Sequence, residues 1–325
     1  MTTPFMFSRA RAGNTALAVV AVPDDDQYDM YHPFGRFCWY VHDDAPNNRW
    51  GECQLDMCVH GITLYTRGSH GRVFTAISAE GDVVFIDDPD NVHERIPGTG
   101  LDSPDSKFIG RMFDIHTIGQ RLYACGDAGQ VYRRSIKGVW ETLEPSMIQP
   151  NTVEATERDF FYCINGPKEE EVYVVGDNGK ILVWNGSSFR QIESGTKNAL
   201  IDIFVENDNM IWICGDNATL LYGNCHIGFR QAPGVYGDHL LLSVTGYQGK
   251  IYVGADTGNP QGLLVHDKSG LQKVVTGLRP EGDDCHTVDA ANGILWAVGM
   301  RDIKRFDGKK WERIKIPKEI HMRKV

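Results

Sequence analysis

The chain has 325 residues, a net charge of −10, 42% hydrophobic residues and 35 glycines. That apolar share supports a continuous core, and so many glycines suit an all-β chain with many tight turns. The acidic balance repels phosphate backbones, so nucleic-acid binding is not expected, and no stretch approaches the roughly 20 apolar residues that span a membrane.

In chain order, Arg9 and Arg11 precede the run Ala-Leu-Ala-Val-Val-Ala-Val at 16–22. The run is short for a secretory leader, and Pro23 and three aspartates, Asp24 to Asp26, follow it where a small-residue cleavage site belongs. It reads instead as the first strand of a unit spanning 16–54, with 37–41 (Phe-Cys-Trp-Tyr-Val) as a further strand. Phe5 and Phe7, ahead of it, are available to pair with the last unit and close a ring. Tyr28, Tyr31, Phe34, Phe37, Trp39 and Tyr40 crowd this unit. They read as extra apolar filling for a closing blade, or as an interface.

Residues 55–97 carry strands at 73–77, 82–86 and 93–96. Residues 112–144 contain Leu-Tyr-Ala-Cys-Gly-Asp-Ala-Gly-Gln-Val-Tyr at 122–132. The phrase returns in 158–193 as Val-Tyr-Val-Val-Gly-Asp-Asn-Gly-Lys-Ile-Leu-Val-Trp at 172–184. In 200–232 it returns as Ile-Trp-Ile-Cys-Gly-Asp-Asn-Ala-Thr-Leu-Leu-Tyr at 211–222, and looser copies lie in 241–276 and 286–316. Each reads as strand, Gly/Asp/Asn turn, strand. Aligning Gly126, Gly176, Gly215, Gly254 and Gly299 gives spacings of 50, 39, 39 and 45 residues, about the period of four-stranded propeller blades. The fold class is therefore all-β, a single β-propeller of four-stranded antiparallel blades, with seven blades expected and six as the alternative. From Arg301 onward ten Lys/Arg oppose four Asp/Glu, a local +6 that leaves −16 on the rest. This segment reads as a solvated outer strand with a basic tail at 317–325, or as a docking patch.

The phrase Gly-Asp-Asn-Gly-Lys-Ile-Leu-Val-Trp-Asn-Gly-Ser-Ser-Phe at 176–189 resembles repeats of bacterial propellers in the broad WD40/YVTN/BNR-like group. The resemblance covers residues 112–316 and implies the fold. The Gly-His and Trp-Asp pairs of WD40 repeats are missing, as is the Ser-x-Asp-x-Gly-x-Thr-Trp box of sialidases, so it implies no particular activity.

Eight cysteines occur without a CxxC pair, so a common zinc site is not indicated and a reducing cytoplasm is the expected setting. Cys125 and Cys214 share one repeat position and read as small buried hydrophobes. The spacing of Asp283, Asp284, Cys285 and His286 is not that of a calcium loop. With no nucleophile elbow and no phosphate loop, no catalytic residue, metal or cofactor is assigned.

In a propeller the turn between a blade's second and third strands shares a face with the link to the next blade. That face receives Asp127, Asp177, Asp216 and Asp256, each in the turn of the phrase. It also receives the long links 98–107, 144–157, 232–239 and 277–286, with Glu154, Glu157, Tyr236, Asp238, Asp283 and Asp284. Long loops on a rigid scaffold are where binding is expected. An Asp in such a turn also caps its own backbone. The sequence thus predicts a non-catalytic, cytoplasmic, protein-binding propeller whose acidic face engages a basic partner. One concrete version is an immunity-type inhibitor of a toxin. A glycan hydrolase with carboxylates in the channel, or a lectin with repeated pockets, is the alternative.

Overall fold

The computed structural model describes residues 5–13, 16–23, 35–68, 71–86, 91–136, 138–149, 152, 157–267 and 269–316. The basic tail, Glu154, the triplet Asp24 to Asp26, and Tyr28, Tyr31 and Phe34 lie outside them. The described chain is all-β apart from single 3-10 turns, and it forms seven four-stranded antiparallel sheets: a seven-bladed β-propeller. No helix among the described residues is long and apolar enough to cross a membrane.

Blade 1 comprises Phe5–Ala12, Ala16–Pro23, Gly35–Val41 and Trp50–Leu55; blade 2, Val59–Thr66, Arg72–Ser78, Asp82–Ile86 and Val92–Arg95. Blade 3 comprises Met112–Ile118, Arg121–Gly126, Val131–Arg134 and Trp140–Thr142; blade 4, Phe161–Lys168, Glu171–Gly176, Ile181–Trp184 and Phe189–Ile192. Blade 5 comprises Leu200–Asn207, Met210–Gly215, Thr219–Asn224 and Gly228–Gln231; blade 6, Leu241–Tyr247, Lys250–Ala255, Gly262–Asp267 and Gly270–Lys273. Blade 7 comprises Thr287–Ala291, Ile294–Val298, Ile303–Phe306 and Trp311–Arg313. The contacts divide the molecule into two compact units. One holds blades 1, 6 and 7 with Asp216–Thr219; the other holds blades 2 to 5.

Blade 1 differs from the sequence reading. Phe5–Ala12 is its own first strand, paired antiparallel with the apolar run 16–23 expected to begin it. The strand carries Ser8, Arg9 and Arg11, so its pattern does not announce a core element. Its partners lie near the other end of the chain: Ala12 N donates to Asp289 Oδ2 (2.9 Å), and Phe7 N to Met300 O (2.7 Å).

Blades pack face to face, so their middle strands are covered on both sides. This explains why Glu171–Gly176 is buried along its whole length and reads as a continuous apolar run rather than an alternating one. Within blades 2 to 5, Tyr173, Val175, Ile181 and Val183 of blade 4 pack against Ile203, Ile211 and Ile213 of blade 5. Within the other unit, Leu17, Val19 and Tyr40 of blade 1 pack against Trp296, Val298 and Ile303 of blade 7. Tyr40 meets Trp50 at 5.1 Å and Trp296 at 6.1 Å between ring centroids, so these aromatics of the first unit are core filling. Cys125 and Cys214 are fully buried, and burial holds both thiols well above their ordinary pKa.

The glycines of the repeated phrase have a steric reason. A Cβ on Gly126, Gly176 or Gly215 would come within 2.3, 1.8 or 2.0 Å of the carbonyl oxygen of Arg111, Phe160 or Ala199 respectively. Each of those residues leads the chain into its blade's inner strand. For these three the demand is close approach of two backbones, not a left-handed conformation: positive φ falls later in the turn, on Ala128 and Gly129, Asn178 and Gly179, and Asn217 and Ala218.

Candidate functional site

Polar residues on the inner strands join neighbouring blades. Thr63 Oγ1 accepts from Thr117 N (3.1 Å), Asp114 Oδ2 from Ile164 N (3.1 Å) and Ser243 Oγ from Val288 N (3.2 Å). Asp289 Oδ2 accepts from Ala12 N, and Asn165 Nδ2 donates to Ile203 O (3.0 Å). Asp202 Oδ1 accepts from Ile203 N (2.9 Å) and from the Cys163 thiol (3.5 Å). Asp114, Asp202 and Asp289 therefore each spend a carboxylate oxygen on backbone amides. Sequence reasoning missed this lattice, although Asp114, Asp202 and Ser243 occupy one repeat position, two residues after the apolar start of each inner strand.

In the unit of blades 2 to 5, the turn after the second strand lies against the link entering the same blade. Asp127 Oδ2 accepts from Arg111 N (3.0 Å), and Asp127 N donates to Arg111 O (2.8 Å). Its carboxylate thus caps the incoming link rather than its own turn. Oδ1 is buried without a hydrogen-bond partner. Burial pushes the Asp127 pKa up, against the Arg111 hydrogen bond and the charges of Arg111 and Arg158. Asp177 repeats only the backbone half of the arrangement, donating N–H to Phe160 O (3.1 Å). Lys180 pairs with Asp159 beside it, and Glu157 is exposed.

The link after blade 2 is held by Glu80, which sequence reasoning did not single out. Its Oε2 accepts from Leu101 N (2.9 Å), Asp102 N (2.8 Å), Ser103 N (3.1 Å) and Ser103 Oγ (3.0 Å). Asp105 accepts from Gly98 N (2.8 Å) and from Arg95 Nε (2.7 Å), and these bonds hold its carboxyl below the usual range. In register, Glu80 stands in the blade 2 turn one residue after the place where later blades carry Asp.

In the unit of blades 1, 6 and 7, the link at 232–240 is the open one. Tyr236 is 79% exposed, and Asp238 is exposed beside it. His239 is buried, and neither ring nitrogen has a hydrogen-bond partner. A Cβ on Gly258 would fall 2.6 Å from its ring, so only glycine admits the imidazole there. His239 O accepts from Ala218 N (2.7 Å), and Asp256 N donates to Leu240 O (3.0 Å). The turns bearing Asp216 and Asp256 are thereby both tied to this link.

At the entry to blade 7, Glu281 accepts from Thr276 N (2.7 Å) and Gly277 N (3.1 Å). Asp283 pairs with Lys273, and Asp284 Oδ2 accepts from Met300 N (2.6 Å). Three of the basic residues after Arg301 serve the same blade. Lys304 is 1% exposed, with its Nζ 3.2 Å from both Asp302 Oδ2 and Asp284 O. Arg305 lies over the Trp296 ring, and Arg313 pairs with Asp302 (2.8 Å). These three cations are consumed by structure rather than offered as a patch.

On the opposite edge of that unit, a cavity of about 260 Å³ opens among Gly13, His42, Asp43, Asn292, Trp296 and Arg305. Among the described residues one group has metal-ligand chemistry: Glu171, Cys225 and His226, whose ligand atoms all lie within 4.8 Å of one another.

The architecture places the chain among β-propellers, and solved structures agree. It resembles the WD40 β-propeller domain of Doa1 with a TM-score of 0.62 and 10% identity, covering 93% of each chain. It resembles the β-propeller domain of Cps50 (Swd1) from Myceliophteria thermophila with a TM-score of 0.64 and 9% identity, covering 93% of this chain and 96% of that one. No family model matches the sequence. The chain is, however, 31% identical over 239 residues to the immune protein Tsi7 of Pseudomonas aeruginosa, a span of 73% of this chain and 74% of that protein. It belongs to the family of that immune protein.

Proposed function

We propose that this chain is an immunity protein that binds and neutralises a toxin through the turns and links described above. The observation that carries the reading is membership of the Tsi7 family. The loops supply a rationale. A rigid frame presents irregular links, and Tyr236 with Asp238 offers an aromatic anchor beside charge, the composition of interface hot spots. Asp177, Asp216, Asp256, Glu157, Asp283, Asp284, the half-buried Asp127, and Glu154 beyond the described residues make up the remaining acidic set. The net charge of −10 favours a basic partner, which it would steer into encounter at low ionic strength. We place this binding in the cytoplasm, where the eight cysteines would stay reduced.

The test is affinity capture from the source cells with the intact chain and with a Tyr236→Ala/Asp238→Ala variant. Wild type should retain a protein that is toxic when expressed alone and harmless when co-expressed with this chain. The variant should retain much less of it. Retention of a harmless protein, or equal retention by both baits, would sink the reading.

A further inference from the structure

We propose that Glu171, Cys225 and His226 form a binding site for a borderline-soft divalent cation, with zinc as the ion it fits best. The three residues come from adjacent blades of one unit. Glu171 opens the second strand of blade 4, and Cys225 and His226 stand in the turn between the last two strands of blade 5.

The geometry favours coordination over an ordinary ion pair. Glu171 Oε2 and His226 Nε2 are 3.7 Å apart, too far for a good hydrogen bond. Two ligands of a tetrahedral zinc, each about 2.0–2.3 Å from the metal, are separated by about 3.3–3.8 Å. The observed gap is such an edge. Cys225 Sγ completes the trio, with all ligand atoms within 4.8 Å of one another. A thiolate and a carboxylate balance the charge of a divalent ion, and an imidazole adds a neutral nitrogen.

The ligands are already oriented by a second layer of contacts. The Tyr173 hydroxyl donates to Glu171 Oε1 (2.6 Å) and accepts from Cys225 N (2.9 Å). One phenol thus fixes the carboxylate and the thiol-bearing turn together, leaving Oε2 to face the site. Asn224 Oδ1 accepts from His226 N (2.8 Å) and Ile227 N (3.1 Å), while Asn224 Nδ2 donates to Asn209 O (2.7 Å). Arg190 Nη2 donates to Cys225 O (3.0 Å). Such outer contacts are typical of built metal sites. Glu171 and Cys225 are buried, but the His226 side chain is 71% exposed, so an ion can enter from solvent. Three protein ligands leave a fourth position open to water or to a group from a partner. Lys168, with its Nζ 3.8 Å from Glu171 Oε2, is the cation the metal would replace.

The experiment uses the full chain, stripped with chelator and titrated with cobalt(II) and then zinc(II). One equivalent of cobalt should give tetrahedral visible bands and a thiolate-to-metal charge-transfer band, and zinc should displace it. Cys225→Ser should abolish the charge-transfer band. His226→Ala should weaken binding at least 10-fold, and because that side chain is exposed the variant tests the site even if Cys225→Ser fails to fold. Cys53→Ser should change nothing. No charge-transfer band in the wild type, or one that persists in both variants, overturns the proposal.

Discussion

Two links behave in opposite ways: the longer, 96–111, is closed on itself, and the shorter, 232–240, is open. The one after blade 2 spends its polar groups internally: Glu80 alone accepts four hydrogen bonds from it, and Asp105 fastens Gly98 and Arg95. The one after blade 5 leaves Tyr236 and Asp238 in solvent and gives neither ring nitrogen of His239 a hydrogen-bond partner. Loop length is therefore a poor guide to recognition. What distinguishes the links is whether their donors and acceptors are already used.

The largest test of that contrast is Glu80→Ala. It strips three backbone amides and a hydroxyl of their acceptor, and should cost about 3 kcal/mol of stability, read by urea denaturation. A loss under about 0.5 kcal/mol, the scatter of neutral surface changes, would mean the first link does not depend on its anchor. Next comes Tyr236→Ala. Stability should stay within about 0.5 kcal/mol of wild type, while toxin binding should weaken about 30-fold, a loss of about 2 kcal/mol. Calorimetric titration with the captured partner measures the second number, and unchanged affinity would remove Tyr236 from the interface.

The smallest effect is acidification. Asp105 has a folded pKa held below its ordinary value, first by Gly98 N and then by Arg95. Its contribution is full above the unfolded carboxyl value of about 4 and fades as pH falls through the lower folded value. The Gly98 amide resonance should shift and broaden below about pH 4, before the β-sheet amides change. Simultaneous loss of both would show that the link has no separate transition.

The blades were legible because a backbone requirement recurs in the letters: Gly126, Gly176 and Gly215 each sit under a passing carbonyl. The sequence suggested turn conformation as the cause, since Gly beside Asp and Asn reads that way, yet positive φ lies on their neighbours. Phe5–Ala12 was hidden because Ser8, Arg9 and Arg11 mask its pairing with the run 16–23, and its further anchors, Asp289 and Met300, stand nearly 300 residues away. Glu80 was hidden because a single Glu before Gly is ordinary until a link folds over it. The trio of Glu171, Cys225 and His226 was invisible for a related reason. Blade stacking, not spacing, brings position 171 to 225, and no local pattern records it.

The close approach at Gly176 has an evolutionary consequence. It clamps the residue that precedes the inner strand, as Gly126 and Gly215 do in blades 3 and 5, so these three blades start alike whatever precedes them. The preceding link can then lengthen, shorten or change character without disturbing the frame. In a lineage whose targets diversify, such clamps would let the recognition segments be rewritten one at a time while the scaffold is inherited unchanged.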